Sequence, residues 1–299
     1  MRIPTDSFSN SLIQDIQQIN TQQSTIQQQL STGLTITNPS DNPVVMGSVL
    51  SQSAEMQSLQ QLSSNNTAAT AIAQQSYSSL SSLNTISTSA GELAVQAGDG
   101  TTSAAANQAN LAQINQYIQE GLQAANSQYN GNYLFGGAQT DKPPFSTTVD
   151  ASGNITGVTY TGTASGASIP TAEGSVTSPY TDGAANQGIA HFLNNLIALR
   201  NGITAQDSSQ IQTAQTDLQS SQDNLLTSVS GMSAVQSGLE ADQTQNQAKF
   251  TSLQKSFSNE TSTDVATASV KLTQAQTAYQ AALASGAKIM QTSLLTYIT

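Results

Sequence analysis

Residues 12–30 read LIQDIQQINTQQSTIQQQL, and the apolar side chains of this stretch recur at the spacing of a coiled-coil helix. Successive members of the stripe lie 4, 3, 7 and 4 residues apart, at Leu12, Ile16, Ile19, Ile26 and Leu30. Gln23 occupies the one heptad position that lacks an apolar residue. A short helix with amide-rich flanks is stabilised mainly by burial of such a stripe, so we expect a helix over 5–31 that packs against a partner.

A matching stripe lies at the other end of the chain, in a helix predicted over about 262–299. Its apolar members are Leu272, Tyr279, Leu283, Ile289, Met290, Leu294 and Leu295. No other segment of the sequence offers a complementary heptad surface to either terminal stripe. The two terminal helices are therefore predicted to pair with each other as a coiled coil.

Residues 33–43, GLTITNPSDNP, concentrate the residues that interrupt helices. Pro39 and Pro43 restrict the backbone of the residue before each of them. Ser40 and Asp41 are candidate N-caps for the helix that follows. The pattern predicts a joint at Pro39, Asp41 and Pro43.

Apolar periodicity predicts four more helices, over about 44–97, 103–130, 189–200 and 207–259. Residues 132–188 differ, because short alternating runs such as Ile155–Tyr160 stand there among Gly, Ser, Thr and Pro. Such runs are typical of short β-strands. Short connections between long helices predict antiparallel neighbours.

The predicted fold is mainly α. We expect an elongated rod of long antiparallel helices, with paired N- and C-terminal coiled-coil helices and a small β-rich inserted domain. The predicted domains are a terminal coiled-coil domain (1–42 and 260–299), a helical rod domain (43–131 and 189–259) and the β-rich insert (132–188).

Composition excludes several functional classes. Ser, Thr, Gln and Asn supply 137 of the 299 residues, while only 8 % are charged and the net charge is −11. Seven Lys and Arg residues spread along the chain cannot build the positive patch that nucleic acid requires. No window approaches the roughly 18 consecutive apolar residues of a membrane span. The first ten residues lack the apolar region of a cleaved signal peptide, so export is expected to use another route.

The residues that could carry chemistry are few. His191 is the only histidine and begins the apolar run HFLNNLIALR, where a structural role is the ordinary one. The spacing of Glu240 and Asp242, and that of Asp217 and Asp223, does not place the two carboxylates side by side on one helix face. Neither pair therefore forms a tight acid–base pair. The chain contains no cysteine, and its Gly pairs lack a phosphate-loop pattern. We therefore predict no catalytic residue, no metal ligand and no cofactor, and a protein that is not an enzyme.

Three stretches resemble signatures of the bacterial flagellin family. Leu30–Gly33, then Ile36 and residues 39–43, are similar to the LSTG…I…PSDDP signature near the N-terminus of these proteins. The central GNYLFGG (131–137) with PPF (143–145) is similar to the hook–filament junction branch of the family. So is the C-terminal stretch, through its segments 279–283, 287–290 and 293–298. Asn42 departs from the usual second Asp, and Leu34–Thr35 replace a common basic residue.

The resemblance implies a flagellin-like rod that serves as a structural component of the bacterial flagellum. Members of this branch are exported through the flagellar type III apparatus without a cleaved signal and bind an export chaperone through the C-terminal segment. They lie outside the cell between a hook-side junction protein and flagellin. Their terminal helices are disordered in solution and become ordered in the assembled tube. The twelve apolar residues of the two terminal stripes are accordingly the predicted assembly interface, through which copies of the chain polymerise.

Two other functions remain open at this point. A flagellin or flagellin-like filament subunit would carry similar terminal signatures. An enzyme or adhesin could use the β-rich insert on a helical stalk. A filament subunit would be abundant and would polymerise alone. For an enzyme or adhesin, deletion of about 141–188 would remove ligand or surface binding and leave assembly intact.

Overall fold

The computed structural model describes residues 5–36, 38, 40, 42–98 and 103–298 of the chain, with side chains described over 10–36, 38, 40, 42–98 and 103–288. Its helices are α1 (Thr5–Thr32), α2 (Pro43–Gly98), α3 (Ala104–Ala125), α4 (Gly183–Ala205), α5 (Ser208–Thr261) and α6 (Val265–Ile298). Its strands are β1 (Gln128–Tyr129), β2 (Asn132–Tyr133), β3 (Phe145–Val149), β4 (Ile155–Tyr160), β5 (Ile169–Ala172) and β6 (Ser175–Thr177). The prediction of a mainly α fold with a small strand-containing region is confirmed.

Helix α4 continues to Ala205 rather than ending near 200. Two further helix boundaries differ from the sequence prediction. Helix α3 ends at Ala125 rather than near 130, because the Asn126 side chain turns away to bind the backbone of Phe145, 19 residues further on. Helix α4 begins at Gly183 rather than 189, where the Asp182 side chain accepts a 2.7 Å hydrogen bond from the Ala185 amide. Both corrections arise at capping residues.

The strands form three separate antiparallel two-stranded ribbons: β1 with β2, β3 with β4, and β5 with β6. The first ribbon begins at Gln128, so β structure starts four residues before the predicted 132. A two-stranded ribbon is marginal on its own, so each depends on the helices for support.

The described chain divides into two compact units. Unit 1 comprises residues 1–57 and 251–299, and unit 2 comprises residues 58–250. Helices α2 and α5 contribute residues to both units. The three-domain division given above stays a prediction.

The core of unit 2 combines helices and ribbons. Gly121 lets α3 approach α4 closely, since a Cβ at this position would lie 2.8 Å from Leu193 Cδ2. The largest side chains with less than 2 % exposure in this core are Phe135, Phe192, Leu80, Leu83, Ile114, Leu134, Ile189, Leu193, Leu196, Leu199 and Leu218. Because Phe145 of β3 and Val158 of β4 belong to the same core as the helices, the ribbons are not an independent hydrophobic unit.

Two asparagines tie the β3–β4 ribbon to the helices. Asn126 both donates to the Phe145 carbonyl and accepts from the Phe145 amide, each at 3.1 Å. Asn194 of α4 does the same with Val158, at 2.8 Å to its carbonyl and 3.0 Å from its amide. Each carboxamide thereby replaces a neighbouring strand at one edge of the ribbon.

The β5–β6 ribbon is bound to α2 and α5 by polar contacts. Asn246 of α5 donates a 2.7 Å hydrogen bond to the Thr171 carbonyl, and Thr171 donates from its hydroxyl to Asp242 at 2.6 Å. An ion pair of 2.6 Å joins Lys249 to Glu173. Lys249 holds the pKa of Glu173 below its ordinary value, first through this hydrogen bond and then through charge.

Candidate assembly interface

The inward face of α1 follows the heptad stripe read from the sequence. Among the described side chains of this helix, Ile26 is the most buried, with 5 % exposure, while the other stripe residues are half-buried. Gln23 shares their partial burial, whereas Ile13 lies beside the stripe and is 51 % exposed. The inward residues of α1 are Leu12, Ile16, Ile19, Gln23, Ile26 and Leu30.

The inward face of α6 is built mostly from small residues. Its inward positions are Ala268, Leu272, Ala275, Tyr279, Ala282 and Gly286. Leu272 and Tyr279 stand where the sequence predicts them. Leu283 does not: its side chain is 47 % exposed, and Ala282 occupies the inward position instead.

Helices α1 and α6 pack against each other in antiparallel orientation. Gly286 near the end of α6 faces Leu12 near the start of α1, and a Cβ at Gly286 would lie 2.9 Å from Leu12 Cδ2. At the other end of the pair, Leu34 forms an antiparallel bridge with Ser262. The predicted pairing of the two terminal helices is thus present within one chain, and the small residues of α6 allow a close approach.

A short backbone clasp closes the pair just beyond the end of α1. The Thr35 amide donates to the Thr261 carbonyl at 2.7 Å, and the Thr263 amide donates to the Gly33 carbonyl at 2.9 Å. The Thr35 hydroxyl adds a 2.9 Å hydrogen bond to the Ser262 carbonyl. These bonds fix the register at which α1 enters the pair.

Gly33 is the residue that ends α1 and starts the clasp. Its φ is +72°, in the left-handed region that favours glycine at helix C-termini. Its amide donates to the Gln29 carbonyl at 2.8 Å, while its carbonyl binds Thr263. The glycine of the Leu30–Gly33 signature therefore has a backbone role.

Asp264 caps α6 on the other side of the clasp. Its Oδ1 accepts from the Ala266 amide at 3.0 Å and from the Thr267 amide at 3.3 Å, and its Oδ2 accepts from the Thr267 hydroxyl at 2.7 Å. The hydroxyl of Thr267, and then its amide, hold the pKa of the Asp264 carboxyl below its ordinary value. The cap was not predicted from the sequence, although an Asp just before a periodic run is a signal for one.

The predicted joint is only partly described by the structure. Pro39 and Asp41 lie outside the described residues, and Pro43 is the first residue of α2. The observed cap of α2 is Asn42, whose Oδ1 accepts from the Val45 amide at 3.3 Å and whose carbonyl accepts from the Met46 amide at 2.9 Å. The prediction of Ser40 as the cap is wrong, and the alternative, Asp41, lies outside the described residues. The sequence signal for the cap at Asn42 is an Asn followed by a Pro at the first helical position.

The last predicted interface residues extend beyond the described side chains. Helix α6 continues to Ile298. The side chains of Ile289, Met290, Leu294 and Leu295 lie outside the described residues, so their place in the interface stays a prediction.

The central GNYLFGG signature lies in unit 2 and shapes its core. Leu134 and Phe135 are 1 % and 0 % exposed. Gly137 has a φ of +68°, and any Cβ there would collide with Thr163. Phe145 of the PPF stretch packs on Tyr160, with ring centroids 5.4 Å apart, and burial raises the pKa of Tyr160. This signature therefore serves packing.

The residues considered for chemistry do not come together. His191 is exposed and lines an open groove of about 690 Å³ between α4 and α5, shared with residues such as Tyr180 and Met232. Asp242 is bound to Thr171, and the Asp217 carbonyl accepts from Asn195 at 3.2 Å. Within the described ranges, no group of three or more His, Asp and Glu side chains is arranged to hold a metal ion.

No helix in the described part of the chain is long and apolar enough to cross a membrane. The longest helices, α2 and α5, have a large share of Ser, Thr and Gln on their surfaces.

Residues 3–140 match the family model of the bacterial flagellin N-terminal helical region. No curated protein sequence matches the chain. A structure from Vibrio parahaemolyticus that is described as a flagellar hook-associated protein aligns with a TM-score of 0.66 and 15 % identity, over 74 % of this chain and 100 % of its own. Bacillus cereus FlgL aligns with a TM-score of 0.58 and 17 % identity, over 71 % and 100 %. Flagellar hook-associated protein-3 from Legionella pneumophila aligns at 0.56 and 12 %, over 70 % and 97 %.

Residues 3–140 are therefore similar to the flagellin N-terminal helical region, and the chain has the helical fold of flagellar hook-associated proteins, so the resemblance predicted from the sequence signatures is confirmed. Within that class, the solved structures to which it is similar include hook-associated protein 3, or FlgL, from several bacteria.

Proposed function

We propose that this chain is a structural subunit of the bacterial flagellum that joins the hook-side junction to the flagellin filament. The observation that carries the proposal is that the two terminal helices pack in antiparallel orientation and are joined by the clasp at Gly33–Thr35. The match of residues 3–140 to the flagellin N-terminal region also supports it. The fold shared with hook-associated proteins supports the junction rather than another flagellar position.

Assembly is proposed to occur through unit 1. Seven of the twelve predicted interface residues lie on the inward faces of α1 and α6, where they hold the pair together. Exposed apolar side chains on the outside of the same unit are available to a neighbouring copy: Ile13, Leu34, Val44, Leu50, Val265, Val270 and Leu283. Burial of such residues between copies would supply the stability that the terminal helices lack as isolated elements.

The proposed partners are other copies of this chain, a hook-side junction protein, flagellin and a flagellar export chaperone. The proposed location is outside the cell, on the flagellum, after export without a cleaved signal peptide. The role is mechanical and needs no catalytic residue or cofactor. Nucleic acid and membrane lipid are not proposed as partners, since Lys and Arg number only seven in the chain.

Localisation on intact flagella tests the proposal. An epitope inserted in the exposed turn at 151–153 should be detected only at the base of each filament, where the hook ends. Label along the whole filament, together with long polymers grown from the purified protein alone, would establish a filament subunit instead. A strain that lacks the gene for this chain should release its filaments into the medium. Expression of the tagged chain should restore their attachment.

A further inference from the structure

The turn of the β1–β2 ribbon consists of Asn130 and Gly131, which are both exposed. Both have positive φ, 49° and 82°, and form the two-residue loop between the paired residues Tyr129 and Asn132. Positive φ at both loop positions defines a type I′ turn, for which Asn-Gly is the favoured sequence. The same dipeptide occurs once more in the chain, at Asn201–Gly202 within α4.

We propose that Asn130 is a site of spontaneous covalent modification, at which the side-chain amide is converted to a carboxylate and the main chain is rerouted. The reaction needs only water and hydroxide. Glycine is the residue that least obstructs the attack, because Gly131 has no side chain beside the reacting nitrogen.

The atoms balance as follows. Base removes the proton of the Gly131 amide nitrogen, which bonds to Cγ of Asn130; the Cγ–Nδ2 bond breaks, and Nδ2 leaves as ammonia with a proton from water. The product is a five-membered succinimide. Water then breaks one of the two ring C–N bonds: cleavage at Cγ gives aspartate, and cleavage at the main-chain carbon gives isoaspartate, in which the main chain runs through Cγ.

The surroundings of Asn130 make the turn easy to open. Its ribbon has only two residue pairs, Gln128 with Tyr133 and Tyr129 with Asn132, and it pairs with no third strand. A ribbon this short is marginal, so the backbone rotation that brings Gly131 N towards Cγ requires only a local opening.

The second Asn-Gly pair is held far more firmly. Gly202 is buried inside α4, where a Cβ would lie 3.1 Å from Ile211 Cγ1. The Asn201 side chain accepts hydrogen bonds from Arg200 at 3.3 and 3.0 Å. The same rotation at Asn201 would require part of α4 to unfold.

Isoaspartate at 130 would add one carbon to the main chain inside a two-residue turn. The ribbon could then no longer keep its register, and its supporting bonds would be weakened: Leu134 N–H to Ser127 O at 3.1 Å, and Tyr133 N–H to Thr140 O at 2.9 Å. We therefore expect age-dependent loosening at the start of the GNYLFGG segment, whose Leu134 and Phe135 lie in the core.

Peptide mass spectrometry of the full-length folded protein, aged in mildly alkaline buffer, tests the proposal. The peptide containing Asn130 should gain the mass of one amide-to-acid conversion about a hundredfold faster than the peptide containing Asn201, a difference of about 2.7 kcal/mol in opening free energy. Asn132 lies in the same ribbon but precedes Tyr133, and should stay unmodified over the same period. Equal rates at Asn130 and Asn201, or conversion of Asn130 only after denaturation, would overturn the proposal.

The variant Asn130→Gly supplies the matched control for the structural effect. Glycine tolerates the positive φ and removes the reacting amide. Amide hydrogen exchange at Tyr133 and Leu134 should accelerate on ageing in the protein that has Asn130. In the Asn130→Gly variant it should stay constant. Equal acceleration in both proteins would show that the loosening has another cause.

Discussion

At the scale of single residues, the helix glycines of unit 2 fall into two kinds. Gly121 in α3 is buried, and a Cβ there would lie 2.8 Å from Leu193 Cδ2. Gly231 in α5 is exposed, and a Cβ there would point into open space. Alanine forms helices better than glycine by about 1 kcal/mol, so only crowding can reverse the sign of this substitution.

Gly121→Ala is therefore expected to destabilise the protein by about 1–3 kcal/mol, since overpacking against a fully buried leucine outweighs the helix propensity. Gly231→Ala, the matched control, is expected to stabilise it by up to about 1 kcal/mol. Urea unfolding midpoints of the two variants should move in opposite directions. A stabilised Gly121→Ala variant would mean that α3 and α4 are not in close contact.

Asp264 gives a second prediction at this scale, on pH. The Thr267 hydroxyl and amide lower its pKa in the folded state, so its cap on α6 is present above the unfolded pKa and is lost as pH falls through the lowered value. Protection of the Thr267 amide from hydrogen exchange should fall over that acidic range. Asp264→Asn keeps an acceptor and removes the titration, so its protection should not change with pH beyond the intrinsic rate. An equal loss of Thr267 protection in the Asp264→Asn variant would show that another group causes the pH dependence.

At the scale of secondary structure elements, the two faces of α6 predict different mutant behaviour. Leu272 lies on the inward face, whereas Leu283 is 47 % exposed. Leu272→Asp should weaken the α1–α6 pair by about 2–4 kcal/mol through lost apolar burial and desolvation of the carboxylate. Leu283→Asp should change the stability of the single chain by no more than about 0.5 kcal/mol, as an exposed substitution does.

An engineered disulfide measures both effects, because the chain has no cysteine of its own. Leu12→Cys with Gly286→Cys places two thiols where α1 and α6 face each other, since a Cβ at Gly286 would lie 2.9 Å from Leu12 Cδ2. Addition of Leu272→Asp should reduce oxidation of this pair, and addition of Leu283→Asp should not. If Leu283→Asp nevertheless prevents incorporation into flagella, the exposed side of α6 contacts a neighbouring subunit; normal incorporation would remove Leu283 from the proposed interface.

Periodicity predicted α1 well because its inward positions are mostly Ile and Leu. On α6 the same reasoning chose Leu283 over Ala282, since a large apolar residue gives a stronger signal than the small one that packs against α1. The end of α3 was also missed, because the Asn126 side chain binds Phe145 through a contact that is not local in sequence. Sequence pattern thus identified the helices and the terminal pairing, whereas close-packed small residues and side chain to backbone bonds required the structure.

At the scale of the whole molecule, the two units differ in what they bury. Fully buried Phe135 and Phe192 and many leucines fill the core of unit 2. In unit 1, the α1–α6 pair buries mostly alanine and glycine from α6 and includes Gln23 from α1. Because stability follows buried apolar area, local opening of α1 and α6 should cost less free energy than opening of the core of unit 2.

Amide hydrogen exchange of the dilute monomer should therefore be faster in α1 and α6 than in α3 and α4. The opening free energy of the two terminal helices should be lower by about 2 kcal/mol or more. Incorporation into a flagellum should raise protection in the terminal helices and leave α3 and α4 nearly unchanged, since the latter owe their stability to contacts within unit 2. This comparison tests the proposed assembly role directly. Strong protection of both terminal helices in the monomer, equal to that of α3, would mean that the chain ends need no neighbouring subunit to become ordered, and assembly would then have to use a surface other than the terminal pair.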